Sequence, residues 1–196
     1  MRLILVRHGE TDWNVQHRVQ GWIDVPLNQK GRTQAKKVAL RLQNEHIGAI
    51  YSSDLKRAKY TALEIARHHK LPVKPTKLLR ERNFGKLEGF PRDEYRKVRE
   101  NSGIPYHLYK PPGGESYLDV SKRTRKFLAE IKKKHSNQAV LVVAHGIVIR
   151  VLISLLTKSP LEKAHEIEQH NAAVSVIELK RGYPPKVHYL NSTEHL

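Results

Sequence analysis

Leu3, Ile4, Leu5 and Val6 form an unbroken apolar run that stops at Arg7, His8, Gly9 and Glu10. A run this short, apolar at every alternation, predicts a strand buried on both faces of a parallel sheet. The pattern returns at Ala139–Ala144, the most strand-like run in the chain, which stops at His145-Gly146. Ile47–Tyr51 predicts another buried strand, ending in Ser52-Ser53-Asp54, and Leu71-Pro72-Val73 begins a shorter one. Residues 172–179 and 186–190 read as closing strands around the turn Gly182-Tyr183-Pro184-Pro185.

Between these runs the apolar period becomes helical. Ala35, Val38, Ala39 and Leu42 follow Asn28 as N-cap, while Leu55, Ala58, Ala62, Ile65 and Ala66 follow a cap at Ser53 or Asp54. Pro91 opens a helix running to about Glu100. Ser116 and Asp119 form a capping box ahead of Tyr117, Val120, Thr124, Phe127, Leu128 and Ile131. Ile147–Leu156 is apolar nearly all round, broken only by Arg150, and predicts a deeply buried helix. The order of elements predicts one α/β domain over residues 1–196. Its architecture is a three-layer sandwich with a mostly parallel central sheet flanked by helices on both faces.

Composition narrows the field. No apolar run approaches the roughly 20 residues that span a bilayer, and the first residues show no signal-peptide pattern. A soluble, cytoplasmic protein without membrane association is therefore expected. The absence of cysteine excludes disulfides and thiolate metal sites. Thirty-six Lys plus Arg against 19 Asp plus Glu give a net charge of +17, which favours anionic partners. The basic residues are spread along the chain, and aromatics are only 7%, too few for an evident base-stacking platform. Nucleic acid is thus the weaker partner, and a small phosphorylated substrate the stronger. A homodimer is allowed but not specified.

In open α/β sheets ligands bind beyond the carboxyl ends of the strands. A lone histidine there is usually satisfied by local backbone, but two buried strands ending in His-Gly make coincidence a poor account. Arg57 adds to this: a cation in the first turn of a helix opposes the macrodipole, a penalty that a shared anion would remove.

With these features the sequence resembles the histidine phosphatase superfamily, the phosphoglycerate-mutase-like proteins. The resemblance rests on Arg7-His8-Gly9-Glu10 with Thr11 and Asn14, and on Ser53-Asp54-Leu55-Lys56-Arg57-Ala58 with Thr61-Ala62. It continues through Glu81, Gly85, Glu88 and Gly89, then Gly113-Gly114-Glu115-Ser116, Ala144-His145-Gly146 and Asn171-Ala172, in that order over most of the chain.

The resemblance implies a phosphomonoester hydrolase working through a phosphohistidine intermediate, with neither metal nor cofactor. His8 is the implied nucleophile: a neutral imidazole is not repelled by a phosphomonoester dianion, provided one ring nitrogen is bare and the other is held as a donor. Arg7, Arg57, Asn14 and Gly146 would bind the phosphoryl oxygens, and His145 would donate to them in the transition state. Glu81 would act as acid and then base, with Glu10, Glu88 and Glu115 structural.

Only residues 90–112 are available to cover the substrate, which favours hydrolysis over the alternative, a cofactor-dependent phosphoglycerate mutase with a longer insertion. Phosphoserine, α-ribazole phosphate, a phosphosugar or a broad range of monoesters all fit. The cover holds Arg92, Tyr95, Arg96, Arg99, Tyr106, His107, Tyr109 and Lys110. As a group they suggest a second anion on the substrate, but none is singled out as a site. The tail Asn191–Leu196 either folds over the pocket, as in some phosphoserine phosphatases, or frays.

Overall fold

The apolar runs form the strands of a six-stranded sheet in the computed structural model, which describes residues 1–196. The chain runs β1 (Arg2–Arg7), α1 (Asp12–Val15), α2 (Gln29–Leu42), β2 (Ile47–Ser53), α3 (Lys56–His69) and β3 (Val73–Thr76). It continues as α4 (Arg92–Asn101), α5 (Tyr117–Lys134), β4 (Ala139–Ala144), α6 (Gly146–Thr157), β5 (Val174–Glu178) and β6 (Lys186–Ser192). The strand order is β3-β2-β4-β1-β5-β6, parallel from β3 to β1, with β5 antiparallel to both of its neighbours.

Strand geometry explains why the central runs are apolar at every position. Along β1, Leu3 and Leu5 join the core beneath α5 and α6, whereas Ile4 and Val6 join the core beneath α2 and α3. β4 divides in the same way, Val140 and Val142 against Leu141 and Val143. Alternate side chains leave a strand on opposite faces, so a strand packed between two helical layers needs an apolar residue at each step. This is the expected three-layer α/β sandwich.

The pairing of β1 with β4 sets the position of everything that follows. Their register puts Arg7 opposite Ala144, so His8 and His145 are the next residues of two adjacent parallel strands. The backbone N–H of His8 donates to Ala144 O at 3.0 Å. Beyond β1 the chain must lie close against the start of α2. A Cβ on Gly9 would stand 2.3 Å from Gly31 O, and one on Gly31 would stand 2.0 Å from Glu10 O. Only two glycines permit that approach.

Three local expectations change. The helix after β2 is capped by neither Ser53 nor Asp54: Leu55 is its N-cap, and the first free amide, Lys56 N, donates to Asp24 Oδ1 at 2.7 Å. The Asp54 carboxylate is instead paired with Arg80 at 2.6 Å, and a nearby cation competes for an aspartate as effectively as a helix end. Second, α1 went unpredicted, because four residues carry too little periodicity; its capping box between Thr11 and Asn14 was the available signal. Third, the tail neither frays nor reaches the pocket. His195 Nε2 bonds Ala172 O at 3.1 Å and Glu194 lies 3.7 Å from Arg41. No helix is long and apolar enough to cross a membrane.

Within residues 90–112, Tyr95 and Tyr109 are held by Arg82, which is fully buried. Its Nη1 donates to Tyr95 Oη (3.0 Å), its Nη2 to Tyr109 O (2.7 Å) and its Nε to Glu115 O (2.6 Å). Nothing local in the sequence marks Arg82, because its partners are 13 to 33 residues away along the chain.

Candidate active site

Bordered by Arg92, Tyr95, Arg99 and Tyr106 of residues 90–112 lies a cavity of about 520 Å³ whose wall also includes Arg7, His8, Asn14, Arg57, Glu81 and Gly146. The latter are six of the seven residues assigned from the sequence. The seventh, His145, has no exposed surface and is not part of the wall, but its ring packs edge-on against His8 with centroids 5.1 Å apart.

Hydrogen bonds fix both tautomers. His8 Nδ1 lies 2.7 Å from Gly9 O, and a carbonyl can only accept, so Nδ1 carries the proton and the Nε2 lone pair is bare. His145 Nδ1 lies 3.2 Å from Arg57 Nε, and a guanidinium can only donate, so the proton of His145 is on Nε2. That Nε2–H is buried and has no partner. Burial, then Arg57 and Arg7, hold His8 well below the usual imidazole value of 6.5; burial, then Arg57 and His8, do the same to His145. One ring is thus a neutral imidazole with its lone pair on Nε2, and its neighbour a neutral imidazole with its N–H on Nε2.

These depressed values make stability sensitive to acid. Below about pH 6.5 the unfolded chain takes up protons that the two buried rings refuse, so the unfolded state gains. The stabilisation is complete above the unfolded value and is lost as pH falls towards the folded ones. Each histidine contributes a slope of about 1.4 kcal/mol per pH unit in that window. Thermal melts are expected to drop steadily from pH 6.5 to 5, and His145→Gln should flatten the trend; a melting temperature constant over that range would exclude two buried neutral imidazoles.

The arginines are pre-set by backbone carbonyls. Arg57 Nη1 donates to Ile23 O at 2.9 Å and Nη2 to Gly21 O at 2.7 Å, leaving one further N–H on each terminal nitrogen. Arg7 Nη1 donates to Gln169 O at 2.6 Å, and its buried Nε has no partner. Burial lowers both to about 10, with Glu81 working in the opposite direction, so both are cations at neutral pH. Asn14 Oδ1 is occupied by Thr11 and Asn171, which leaves its Nδ2 as a donor to the cavity. Asn171 Nδ2 also reaches His8 O and Gly9 O, bracing the loop that holds the His8 tautomer.

Glu81 is not consumed by its arginine neighbours, Arg80 having turned to Asp54 and Arg82 to Tyr95 and Tyr109. Its Oε1 accepts from Arg82 N (2.9 Å) and its Oε2 from Ile147 N (3.3 Å) at the start of α6. A Cβ on Gly146 would lie 3.7 Å from Arg7 Nε and 3.9 Å from Glu81 Oε2, so cation, carboxylate and helix terminus border one space. The remaining glutamates hold structure: Glu10 pairs with Lys30, Glu115 with Arg123, and Glu88 accepts from Trp22 N and Phe84 N.

Several wall residues were not found from the sequence: Arg18, Gln20, Arg150, His165 and Gln169. Arg150 did leave a signal, as the one charge in an otherwise apolar helix. Arg18, Gln20 and Gln169 lie in loops and His165 in a short 3₁₀ helix (Leu161–Glu166), where spacing carries no information on direction.

The comparisons agree with this geometry. A family model of the histidine phosphatase superfamily (branch 1) matches residues 3–193. Phosphoserine phosphatase 1 of Hydrogenobacter thermophilus is 38% identical over 189 residues, covering 92% of this chain and 87% of its own length. Phosphoglycerate mutase-like protein 4 of Arabidopsis thaliana is also 38% identical, covering 99% and 86%. Among solved structures, a mycobacterial glucosyl-3-phosphoglycerate phosphatase superposes with a TM-score of 0.88 at 30% identity, over 98% of this chain and 99% of that one. The chain belongs to the histidine phosphatase superfamily, branch 1. Within it, this protein is a phosphatase, a hydrolase of small phosphorylated metabolites.

Proposed function

We propose that residues 1–196 act as one domain that hydrolyses phosphomonoesters in two steps through His8, with residues 90–112 covering the substrate. The bare Nε2 of His8, fixed by its Nδ1–H bond to Gly9 O, carries this reading. In the first step Nε2 attacks phosphorus, the P–O ester bond breaks, and protonated Glu81 gives its proton to the leaving alkoxide. Arg7, Arg57, Asn14 Nδ2, the Gly146 amide and His145 Nε2–H stabilise the phosphoryl oxygens as negative charge spreads over them. In the second, the Glu81 carboxylate takes a proton from water, water attacks phosphorus, the P–N bond breaks and inorganic phosphate leaves. Guanidinium groups here do the charge neutralisation that a metal ion does in other phosphoryl-transfer sites. No group of three or more His, Asp or Glu side chains converges at a spacing that would hold one.

The two steps separate in one experiment. p-Nitrophenolate leaves without an acid, so Glu81→Gln should complete the first step and stall at the second. A burst of about one equivalent of nitrophenol is expected, with phosphate retained on His8 as an acid-labile adduct and steady turnover down roughly 10²–10⁴-fold. Wild-type turnover by this variant, or an adduct elsewhere, would overturn the reading. Priming with a bisphosphoglycerate in the presence of monophosphoglycerate tests the mutase alternative, since the cover is short. A cytoplasmic location belongs to the proposal, because small phosphate dianions stay in the compartment that makes them.

A further inference from the structure

The carbonyl that fixes the His8 tautomer belongs to a glycine, the residue type whose backbone turns most freely. Nothing larger fits there, because a Cβ on Gly9 would stand 2.3 Å from Gly31 O. The peptide that follows Gly9 is therefore aimed by side chains on either side of it. Glu10 N–H donates to Gln34 Oε1 at 2.8 Å, and Gly9 O accepts from Asn171 Nδ2 at 3.2 Å. The same Asn171 nitrogen lies 3.1 Å from His8 O and 3.2 Å from Asn14 Oδ1. Asn171 does not line the cavity, so whatever it contributes reaches a substrate through these partners.

Two of those partners lie in the site. His8 O and Gly9 O can only accept, so the end of the Asn171 amide that faces them is its NH₂. Together with Thr11 N–H, that NH₂ also faces Asn14, which must answer with its oxygen. Asn14 Nδ2 is thereby left to the cavity. One amide outside the pocket thus sets the polarity of two groups inside it.

Asn171 sits in a turn over residues 170–173, closed by Ala173 N–H to His170 O at 3.2 Å. Ala172 has φ +57° there, a left-handed conformation that a Cβ disfavours. Bonds to other segments hold it. Ala172 N–H donates to His8 O at 3.1 Å. Two further ties come from the C-terminal segment: Asn191 Oδ1 accepts from His170 N–H (2.7 Å), and His195 Nε2 donates to Ala172 O (3.1 Å).

We propose that Asn171 is a positioning residue for phosphoryl transfer, keeping the His8 proton on Nδ1 and Asn14 Nδ2 on the phosphoryl seat, and that Asn191 and His195 hold the turn that presents it. The inference rests on His8 as the nucleophile and assigns a task to the C-terminal segment, which does not itself reach the pocket.

Asn171→Leu keeps the size of the side chain and removes its donor without adding charge. In spectra of protein labelled with nitrogen-15 in the histidine rings, wild-type His8, identified by its loss in His8→Ala, should show a protonated Nδ1 and a bare Nε2. In Asn171→Leu the two tautomers should mix, and kcat for p-nitrophenyl phosphate should fall about tenfold. Inorganic phosphate, as a competitive inhibitor, reads the Asn14 arm. Its Ki should rise about fivefold in Asn171→Leu, and no further when the same change is made in Asn14→Ala. His195→Ala should move the His8 signals in the same direction and lower kcat about threefold. His195→Gln, which restores an N–H towards Ala172 O, should reverse both effects. Circular dichroism establishes that each variant folds, and Asn171→Ala replaces the leucine variant if that one does not. An unchanged His8 spectrum in Asn171→Leu would overturn the inference even if activity fell, since that is how a merely structural side chain behaves. Phosphate Ki effects that add in the double variant would remove the Asn14 arm, and a silent His195→Ala the part given to the C-terminal segment. Failure of the wild type to hydrolyse p-nitrophenyl phosphate would sink the phosphatase reading, while the ring signals judge the positioning claim by themselves.

Discussion

Replacing His8 with alanine is expected to remove p-nitrophenyl phosphate turnover by at least about three orders of magnitude, with the fold retained. Loss of the attacking atom leaves only the arginine clamp, and water would have to approach a dianion without a positioned base for its first attack. The fold should survive because the imidazole gives the structure one hydrogen bond, to Gly9 O, and Asn171 Nδ2 still reaches that oxygen at 3.2 Å. Circular dichroism establishes folding and a fixed-time phosphate-release assay establishes loss. A variant keeping a tenth of wild-type turnover would mean that the nucleophile is another group.

For Arg57→Ala the expected loss is two to three orders of magnitude in kcat/KM, accompanied by a lower melting temperature. The catalytic part follows from removing a fixed cation together with the bond that keeps the His145 proton on Nε2. Losing one preorganised donor in such sites costs roughly 10²–10³ in rate. The stability part follows from Gly21 O, which loses its donor in a buried place, and from half-buried Ile23 O, at about 1–3 kcal/mol for a carbonyl that water does not reach. Arg57→Lys should not rescue activity, because the three N–H donors of an ammonium sit on one nitrogen and cannot reach the ring nitrogen and both carbonyls that three separate guanidinium nitrogens contact. Lysine activity within fivefold of wild type would reduce Arg57 to a diffuse positive charge.

Much of this molecule is legible in single segments. The strands β1 and β4, the apolar faces of α2, α3 and α5 and the capping box at Ser116 are local matters, set by side chains within a few residues of one another. The same locality misled at Asp54, a plausible cap whose carboxylate is taken by Arg80 from 26 residues away. Arg82 shows the limit more sharply. In sequence it is one charge in an alternating loop, while in the fold it is fully buried and bonds Tyr95 and Tyr109.

What the sequence determined by itself is where polar chemistry must emerge from the sheet. Two runs apolar at every step have to be central strands, and whatever ends them, His8-Gly9 and His145-Gly146, has to sit at the sheet's carboxyl edge. Only the tertiary structure decided which nitrogen of each ring carries a proton and which way Arg57, Arg150 and Gln169 face. Those outcomes depend on the register of β1 with β4 and on carbonyls at Gly21, Ile23, Ile167 and Gln169. Direction in space is a property of packed neighbours, and spacing along a chain does not encode it.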